Sequence, residues 1–170
     1  MGKRAAILAE ELFEDLELWY PRLRLREAGC EVEVLGTGRE EYVGKHGLSV
    51  EVDKRVAEAK ATDYDAVIIP GGWAPDRLRR YKEVLRFVKT AFDEGKVIAS
   101  ICHGASVLIS AGVLKGKRLT CFYSIKDDVV NAGADYEDRE VVVDGNLITS
   151  RHPDDLPAFC KEILKALNIT

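Results

Sequence analysis

Short apolar runs alternate with helical segments along this 170-residue chain, and this alternation limits its fold more than any other feature. Arg4–Ala9, Ala66–Pro70 and Val97–Ser100 are each too short for a helix, and their apolar residues are nearly continuous. Such runs are typical of parallel strands that are buried on both faces. Strands that alternate with helices in this way predict an α/β fold, in which helices cover both faces of a mostly parallel sheet.

The rest of the chain fits this pattern. Helices are predicted over about Asp15–Gly29, Asp76–Asp93, His103–Gly112, Ile125–Asn131 and Asp154–Leu167. Strands are predicted over Glu31–Leu35 and Leu119–Phe122, with hairpins over Tyr42–Val52 and Glu140–Ser150. The Asp144-Gly145 pair is a strong turn signal for the second hairpin. In the first helix, the apolar residues that share one face are Leu16, Trp19, Leu23 and Ala28.

The composition is that of an ordinary globular domain. Hydrophobic residues make up 46% of the chain and charged residues 32%, and the net charge of -4 comes from signs mixed along the sequence. The chain therefore lacks the basic footprint of a nucleic-acid-binding protein. No apolar stretch approaches the roughly 20 residues that a membrane span needs. We expect one domain over residues 1–170, in the cytoplasm, with no nucleic-acid or membrane partner.

Four scattered cysteines limit the kinds of site that the chain can form. Cys30, Cys102, Cys121 and Cys160 include no C-x-x-C pair, so the spacing of a four-thiolate zinc site is missing. Disulfides are not expected in a reducing compartment. Three scattered histidines add no metal motif, and we expect neither a metal nor a cofactor. All the cysteines except Cys102 are interpreted as buried structural residues.

The segment around Cys102 has the pattern of a nucleophile elbow. The segment VIASICHGA, residues 97–105, begins with an apolar strand, and its small residues Ser100 and Gly104 lie two positions before and after the cysteine. The turn of an elbow is so tight that a larger side chain at either position would strike the backbone. The helix N-terminus beneath the sulfur favours the thiolate. We therefore predict that Cys102 is a nucleophile whose pKa lies below the reference value of about 8.5.

Backbone N–H groups beside Cys102 are candidates for an oxyanion hole. One belongs to His103, and the other to Gly72 in the glycine turn that ends the neighbouring strand. Neighbouring side chains on an elbow point apart, so direct pairing of Cys102 with the His103 ring is not expected without local bending. Ligands bind where parallel strands end, and three segments are expected to converge there: Glu10–Asp15, Gly71–Asp76 and Ser100–Gly104.

Five motifs occur in order over about residues 4 to 166: Glu14, Pro70-Gly71-Gly72, Ser100–Gly104, Ile125–Asp128 and Ser150-Arg151. In these motifs the chain resembles the PfpI family of intracellular cysteine peptidases. That family belongs to the superfamily of the parkinsonism-associated deglycase, which is related to class I glutamine amidotransferases. The resemblance implies a flavodoxin-like three-layer sandwich that assembles as a homodimer or a homohexamer. It also implies that a protonated Glu14 hydrogen-bonds the sulfur of Cys102.

Two positions depart from the pattern of the hexameric relatives. In those relatives, a carboxylate from the neighbouring subunit orients the histidine, and this position matches Asp76 here. Aspartate is one methylene shorter than the common glutamate, and Asp76 could equally be the N-cap of the helix after Pro75. Those relatives also place a tyrosine beside the cysteine, where this chain has Phe122. Either Tyr123 substitutes for it or the contact is lost.

The activities attributed to the family include peptide hydrolysis, hydration of methylglyoxal-type ketoaldehydes and removal of their adducts from proteins. All of them need a thiolate that attacks a carbonyl carbon. We predict a cysteine hydrolase that acts on a peptide or a small carbonyl compound, with catalytic residues Cys102, His103, Glu14 and Asp76. No loop offers an obvious peptide groove, which favours small carbonyl compounds. Two alternatives stay open: an amidotransferase-type triad with His152, and a redox-sensing stress or chaperone protein in which Cys102 is oxidised.

Overall fold

A computed structural model describes residues 2–169 as eleven strands and six helices. The strands are β1 Arg4–Leu8, β2 Glu31–Gly36, β3 Glu41–Val43, β4 Ser49–Glu51, β5 Lys54–Arg55, β6 Ala66–Ile69, β7 Val97–Ile101, β8 Arg118–Leu119, β9 Asp135–Tyr136, β10 Val142–Asp144 and β11 Leu147–Ser150. The helices are α1 Asp15–Glu27, α2 Ala74–Leu78, α3 Lys82–Asp93, α4 Ala105–Ala111, α5 Lys126–Asn131 and α6 Leu156–Ala166. Across residues 2–169, no helix has both the length and the apolar character to cross a membrane.

Seven strands form the central sheet, in the order β10-β11-β7-β6-β1-β2-β5. Every neighbouring pair is parallel except β10 and β11, which form the predicted antiparallel hairpin. Helix α1 packs against α6, and α3 packs against α4. The strands β1, β6 and β7 lie at the centre, and their side chains are almost entirely buried. The predicted α/β fold with a mostly parallel sheet is confirmed, and its architecture is flavodoxin-like.

Two predicted elements have different boundaries in the structure. The helix predicted over Asp76–Asp93 is two helices, because Tyr81 adopts extended backbone angles between α2 and α3. The strand predicted over Leu119–Phe122 pairs only as far as Leu119. Beyond it, the N–H of Thr120 donates to the side-chain hydroxyl of Thr149 at 2.9 Å, so a side chain replaces the next strand partner.

Helix α1 buries a different face from the one that its apolar spacing predicts. Leu18 and Leu25 are wholly buried, whereas Leu16 and Leu23 are 55% and 53% exposed. A polar contact accounts for this difference. The carboxyl group of Glu17 is buried and accepts a hydrogen bond from the backbone of the β6–α2 loop at 2.9 Å. A helix turned so that this carboxylate faces inward leaves part of its apolar stripe on the surface.

The turn after β7 has the geometry of the predicted elbow. Cys102 adopts a φ of 62°, in the left-handed region, which costs a non-glycine residue about 1–2 kcal/mol. A 3-10 turn over Cys102–Gly104 then leads into α4. A Cβ atom at Gly104 would lie 2.5 Å from the carbonyl oxygen of Ile69 and 2.7 Å from Oγ of Ser100. The small residues on either side of the cysteine are therefore in contact with each other, which explains the pattern.

We expect Gly104→Ala to lower the free energy of unfolding by about 1–3 kcal/mol, because the added methyl group would overpack the elbow. Gly2→Ala is the matched control, since a Cβ atom there would meet only the carbonyl oxygen of Gly29, at 3.7 Å. Chemical denaturation of both variants measures the difference. Equal stability of the two variants would contradict the tight-turn explanation.

Candidate active site

A cavity of about 640 Å³ lies at the carboxyl ends of β1, β6 and β7 and contains Cys102. The three segments predicted to converge at this edge all contribute to its lining, through Glu14, the Gly72–Asp76 stretch and the Cys102-His103 pair. The lining also includes residues that were not predicted, among them Lys45, from the turn between β3 and β4, and Glu17, from the first turn of α1.

The side chains of Cys102 and His103 are in direct contact. Sγ lies 3.3 Å from Nδ1 of the imidazole, so the expectation that the two side chains point apart is wrong. The left-handed backbone of Cys102 supplies the local bending that this contact needs. On the other edge of the ring, Nε2 lies 3.2 Å from Oγ of Ser124. The imidazole therefore has a polar partner at each nitrogen.

An aromatic ring also holds the imidazole. Phe122 stacks on His103 with ring centroids 5.1 Å apart and an interplanar angle of 29°. Tyr123 does not take the place of the tyrosine that hexameric relatives have, because it is 74% exposed and contacts Phe122 from outside. The phenol contact is therefore lost, and the phenyl ring retains the packing.

The carboxyl group beside the sulfur belongs to Glu17, and the predicted hydrogen bond from Glu14 is wrong. The Glu14 carboxylate is held instead by Lys45, whose Nζ lies 3.0 Å from Oε2, and Nε2 of His46 lies 3.5 Å away. Glu17 is one helical turn further along, and its side chain interacts with Cys102. Spacing could have revealed it, since residues three apart lie on the same side of a helix.

Glu17 is a buried acid that favours its neutral form. One oxygen, Oε1, accepts the N–H of Gly71 at 2.9 Å, while Oε2 is buried without a nitrogen or oxygen partner among residues 2–169. Burial is the main cause that raises the pKa of Glu17 to about 8. At neutral pH the carboxyl is therefore mostly protonated. A neutral carboxyl can donate a hydrogen bond to sulfur, whereas a carboxylate would repel a thiolate.

Burial raises the pKa of the Cys102 thiol to about 12, and the charge of an ionised Glu17 acts in the same direction. The prediction of a value below about 8.5 is therefore wrong, because burial outweighs the groups that favour the thiolate. Those groups are the backbone N–H of His103, the backbone N–H of Gly72 and the Lys45 ammonium. The resting sulfur is thus a thiol, and a base must remove its proton when it reacts.

His103 is suited to act as that base. Burial, together with the charge of Lys45, lowers the pKa of its imidazole, so the ring is neutral at pH 7 and can accept a proton at Nδ1. The N–H groups of His103 and Gly72, predicted as an oxyanion hole, both point at the sulfur. They could therefore receive an oxygen that is bonded to the carbon under attack. The Cys102 sulfur, the His103 imidazole and the two N–H donors thus meet at one point of the cavity.

These groups can come together because the backbone of Gly71 lies close to that of Cys102. A Cβ atom at Gly71 would lie 2.6 Å from Oε1 of Glu17 and 2.8 Å from Cβ of Cys102. Any residue other than glycine would therefore force the acid and the nucleophile away from the β6–α2 loop. The glycine turn predicted from the sequence is what brings the Gly72 N–H to the sulfur.

Asp76 and His152 line the cavity without contacting the sulfur. The Asp76 carboxylate is paired with Arg80 of its own chain, and α2 begins at Ala74 with Trp73 as its N-cap, so the N-cap alternative for Asp76 is wrong. In the part of the chain that the structure describes, Asp76 makes no hydrogen bond to His103. His152 lies on the rim, and the imidazole that reaches the sulfur is that of His103.

The other cysteines are buried, as predicted: Cys30, Cys121 and Cys160. Burial raises the pKa of each of these thiols. Within residues 2–169, no three side chains of the His, Cys, Asp or Glu type cluster as a metal site would require. Cys102 is thus the one described cysteine that is only partly buried, and it lies in the cavity.

The model of the DJ-1/PfpI family matches residues 3–166. The chain belongs to this family. The deglycase PfpI of Pyrococcus furiosus is 48% identical over 160 residues, which cover 94% of this chain and 96% of that protein. The chain also superimposes on Drosophila melanogaster DJ-1beta with a TM-score of 0.88 at 31% identity, with both chains fully covered.

A second solved structure is closer in sequence and is longer than this chain. It is a two-domain protein from Anabaena variabilis with DJ-1/ThiJ/PfpI-like and ferritin-like domains. The TM-score is 0.96 at 50% identity, and the match covers 98% of this chain and 48% of the other. Relatives named as deglycases support an enzyme in this family, which agrees with the chemistry of the cavity.

We expect the stability of the protein to depend on pH through Glu17. Its pKa is raised from 4.5 to about 8 on folding, so the folded state keeps a proton that the unfolded state releases between these values. The free energy of unfolding should therefore fall as pH rises from 4.5 to 8, by up to about 1.4 kcal/mol per pH unit.

Glu17→Gln is the matched variant, because glutamine has nearly the same shape and does not titrate. Chemical denaturation at pH 5 and pH 8 should show that the variant gains stability relative to the parent as pH rises. Parallel pH profiles for the two proteins would show that the pKa of Glu17 is not raised.

Proposed function

We propose that this protein is a cysteine-dependent enzyme in which Cys102 attacks the carbonyl carbon of a ketoaldehyde or of its adduct on a protein. The observation that carries the proposal is the contact of 3.3 Å between Sγ and Nδ1 of His103, with two backbone N–H groups directed at the same sulfur. A nucleophile, a base and an anion-stabilising pair are the parts that carbonyl addition needs. The deglycase name of a relative 48% identical supports this substrate class.

The first chemical step uses only groups of this chain. The thiol of Cys102 gives its proton to Nδ1 of His103 while the sulfur bonds to the aldehyde carbon. The electron pair of the carbonyl bond moves to oxygen, which accepts hydrogen bonds from the N–H groups of Gly72 and His103. The imidazolium then returns its proton to this oxygen, and a thiohemiacetal results. The neutral carboxyl of Glu17 lies beside the sulfur and avoids a second negative charge there.

The second step converts the thiohemiacetal into an acid. For a 2-ketoaldehyde, a proton leaves C1 and one is delivered to C2, while the proton of the C1 hydroxyl group moves to the oxygen on C2, which gives a thioester of the 2-hydroxy acid. His103 and Glu17 are the groups placed to move these protons. Water then hydrolyses the thioester and restores the thiol, so the net reaction adds one water molecule. A cavity of about 640 Å³ can hold such a molecule or one modified side chain.

The test is turnover by the purified protein on methylglyoxal, on a methylglyoxal-modified peptide and on a panel of unmodified peptides. We expect 2-hydroxy acid to form catalytically, His103→Ala to lower kcat by about 10²-fold or more, and Cys102→Ser to abolish product. Cys30→Ser is the control, because this thiol is buried outside the cavity.

The other outcomes separate the alternatives. Cleavage of unmodified peptides without any 2-hydroxy acid would identify a peptidase instead. Stoichiometric oxidation of Cys102 by peroxide, without turnover of any substrate, would identify a redox sensor. Full activity of Cys102→Ser would contradict the nucleophile assignment.

We also propose that the chain assembles as a homodimer or a homohexamer, with the exposed face of α1 in the interface. Leu16, Tyr20 and Leu23 follow each other on this face at intervals of four and three residues, and each is more than one-third exposed. The N–H of Leu48 donates to the Asp15 carboxylate, which places Leu48 near the start of α1, and its side chain is about half exposed. A continuous apolar strip of this kind is typical of an interface.

Light scattering at micromolar concentration should therefore give at least twice the mass of one chain. The double substitution Leu16→Glu with Leu23→Glu should shift the protein toward monomer, because it would place two buried charges at the interface. Val130→Glu is the control, since this valine is similarly exposed on α5. A monomeric parent protein, or an equal effect of both variants, would contradict the proposal.

A further inference from the structure

We infer that Ser124 is a positioning residue for His103, and that Cys102, His103 and Ser124 form a hydrogen-bonded chain within a single protein chain. The inference rests on the proposed function, because it concerns the base of that reaction. It deepens the proposal by assigning a role to a residue that neither the elbow pattern nor the motifs of the family predict. The inference is based on the geometry of the His103 ring and on the chemistry of its two nitrogens.

The geometry places one polar partner at each ring nitrogen. Nδ1 faces the sulfur at 3.3 Å, and Nε2 faces Oγ of Ser124 at 3.2 Å. Ser124 lies in the 3-10 turn Tyr123–Ile125, which follows Phe122 directly. The N–H of Phe122 donates to the carbonyl oxygen of Cys102 at 3.2 Å, so the backbone before this turn is tied to the nucleophile itself.

The two tautomers of the imidazole explain why this hydroxyl matters. Nδ1 faces the Cys102 sulfur at 3.3 Å, and to act as the base of the proposed reaction it must present a lone pair that accepts the thiol proton. The single ring proton of neutral His103 must therefore be on Nε2, where it needs an acceptor. Oγ of Ser124 is that acceptor, and the exposed hydroxyl can direct its own proton to solvent. When Nδ1 takes the thiol proton, both N–H groups of the imidazolium keep a partner.

Within one chain, Ser124 fits this role because the carboxylates of Asp76 and Glu14 already have partners. Asp76 is ion-paired with Arg80, and Glu14 is held by Lys45. Phe122 stacks on the ring but offers it no acceptor in the ring plane. Of the polar side chains in residues 2–169, Ser124 is the one whose oxygen contacts Nε2.

The test compares four proteins: the parent chain, Ser124→Ala, Ser124→Thr and Ser124→Val. Threonine and valine have nearly the same shape, and only threonine carries the hydroxyl. We expect kcat for the ketoaldehyde to fall about tenfold in the alanine and valine variants, the equivalent of one hydrogen bond, with little change in KM. The threonine variant should recover most of the parent kcat.

Two readouts need no turnover, so they separate this inference from the proposed function. The rate at which iodoacetamide alkylates Cys102 at neutral pH should follow the hydroxyl in the same way, because His103 takes the thiol proton. Nitrogen-15 NMR of the ring should show the Nε2–H tautomer in the parent and threonine proteins, and a mixture in the other two. The chain has three histidines, so a His103→Gln variant assigns the signal.

Equal kcat, alkylation rate and ring tautomer in the threonine and valine variants would overturn the inference. A rise in KM without a fall in kcat would also overturn it, since that result indicates a substrate contact. If Asp76→Ala lowers kcat while Ser124→Ala does not, a carboxylate from another subunit orients the ring and Ser124 does not. If no substrate is turned over but alkylation and tautomer still follow the hydroxyl, the proposed function fails and the positioning role stands.

Discussion

Two loops that are hydrogen-bonded to each other hold the active cavity together. The loop after β1 and the loop after β6 pair through a short antiparallel bridge between Phe13 and Gly72, and the N–H of Glu14 donates to the carbonyl oxygen of Gly71 at 3.0 Å. This pairing presses the Gly71 backbone against Cys102 and brings the Gly72 N–H to the sulfur. The same loop donates a hydrogen bond to Glu17 and so sets the direction in which α1 enters the fold. Loss of this approach would separate acid, nucleophile and N–H donors at once.

Two features of the site lower the stability of the fold: the backbone conformation of Cys102 and the burial of Glu17. Cys102 holds a left-handed conformation, and Glu17 is a carboxyl with one oxygen that lacks a nitrogen or oxygen partner among the described residues. Each feature lowers the stability of the fold by an amount of order 1–3 kcal/mol. Strain and unpaired polar atoms of this size persist where the surrounding structure determines them, and they concentrate at functional sites. Here the sheet core supplies that support, since β1, β6 and β7 are almost completely buried.

Proton positions rather than fixed charges decide the chemistry of the cavity. Cys102 is a thiol, Glu17 is mostly a neutral acid and His103 is a neutral base at pH 7, so the buried groups carry little net charge at rest. In the proposed reaction, Cys102 is therefore activated by proton transfer to His103 at the moment of attack. Lys45 adds the positive charge closest to these groups, and its pairing with Glu14 holds it at the edge of the cavity.

The sequence by itself determined the fold class and the position of the tight turn that carries Cys102. Short apolar runs, a glycine turn and small residues around Cys102 are local requirements of buried strands and a tight elbow, so they can be recognised in the order of the residues. The predicted meeting of the His103 and Gly72 N–H groups followed from the rule that parallel strands end at one edge.

Only the tertiary structure decided which side chains complete the site. The choice of Glu17 over Glu14 depends on the rotation of α1, which a buried hydrogen bond sets and apolar spacing does not. The contact between Cys102 and His103 depends on the left-handed φ of Cys102, which its residue type does not predict. Ser124 reaches His103 from 21 positions away, through a turn anchored by one backbone hydrogen bond. Such contacts arise from the packing of distant segments, and local residue preferences do not encode them.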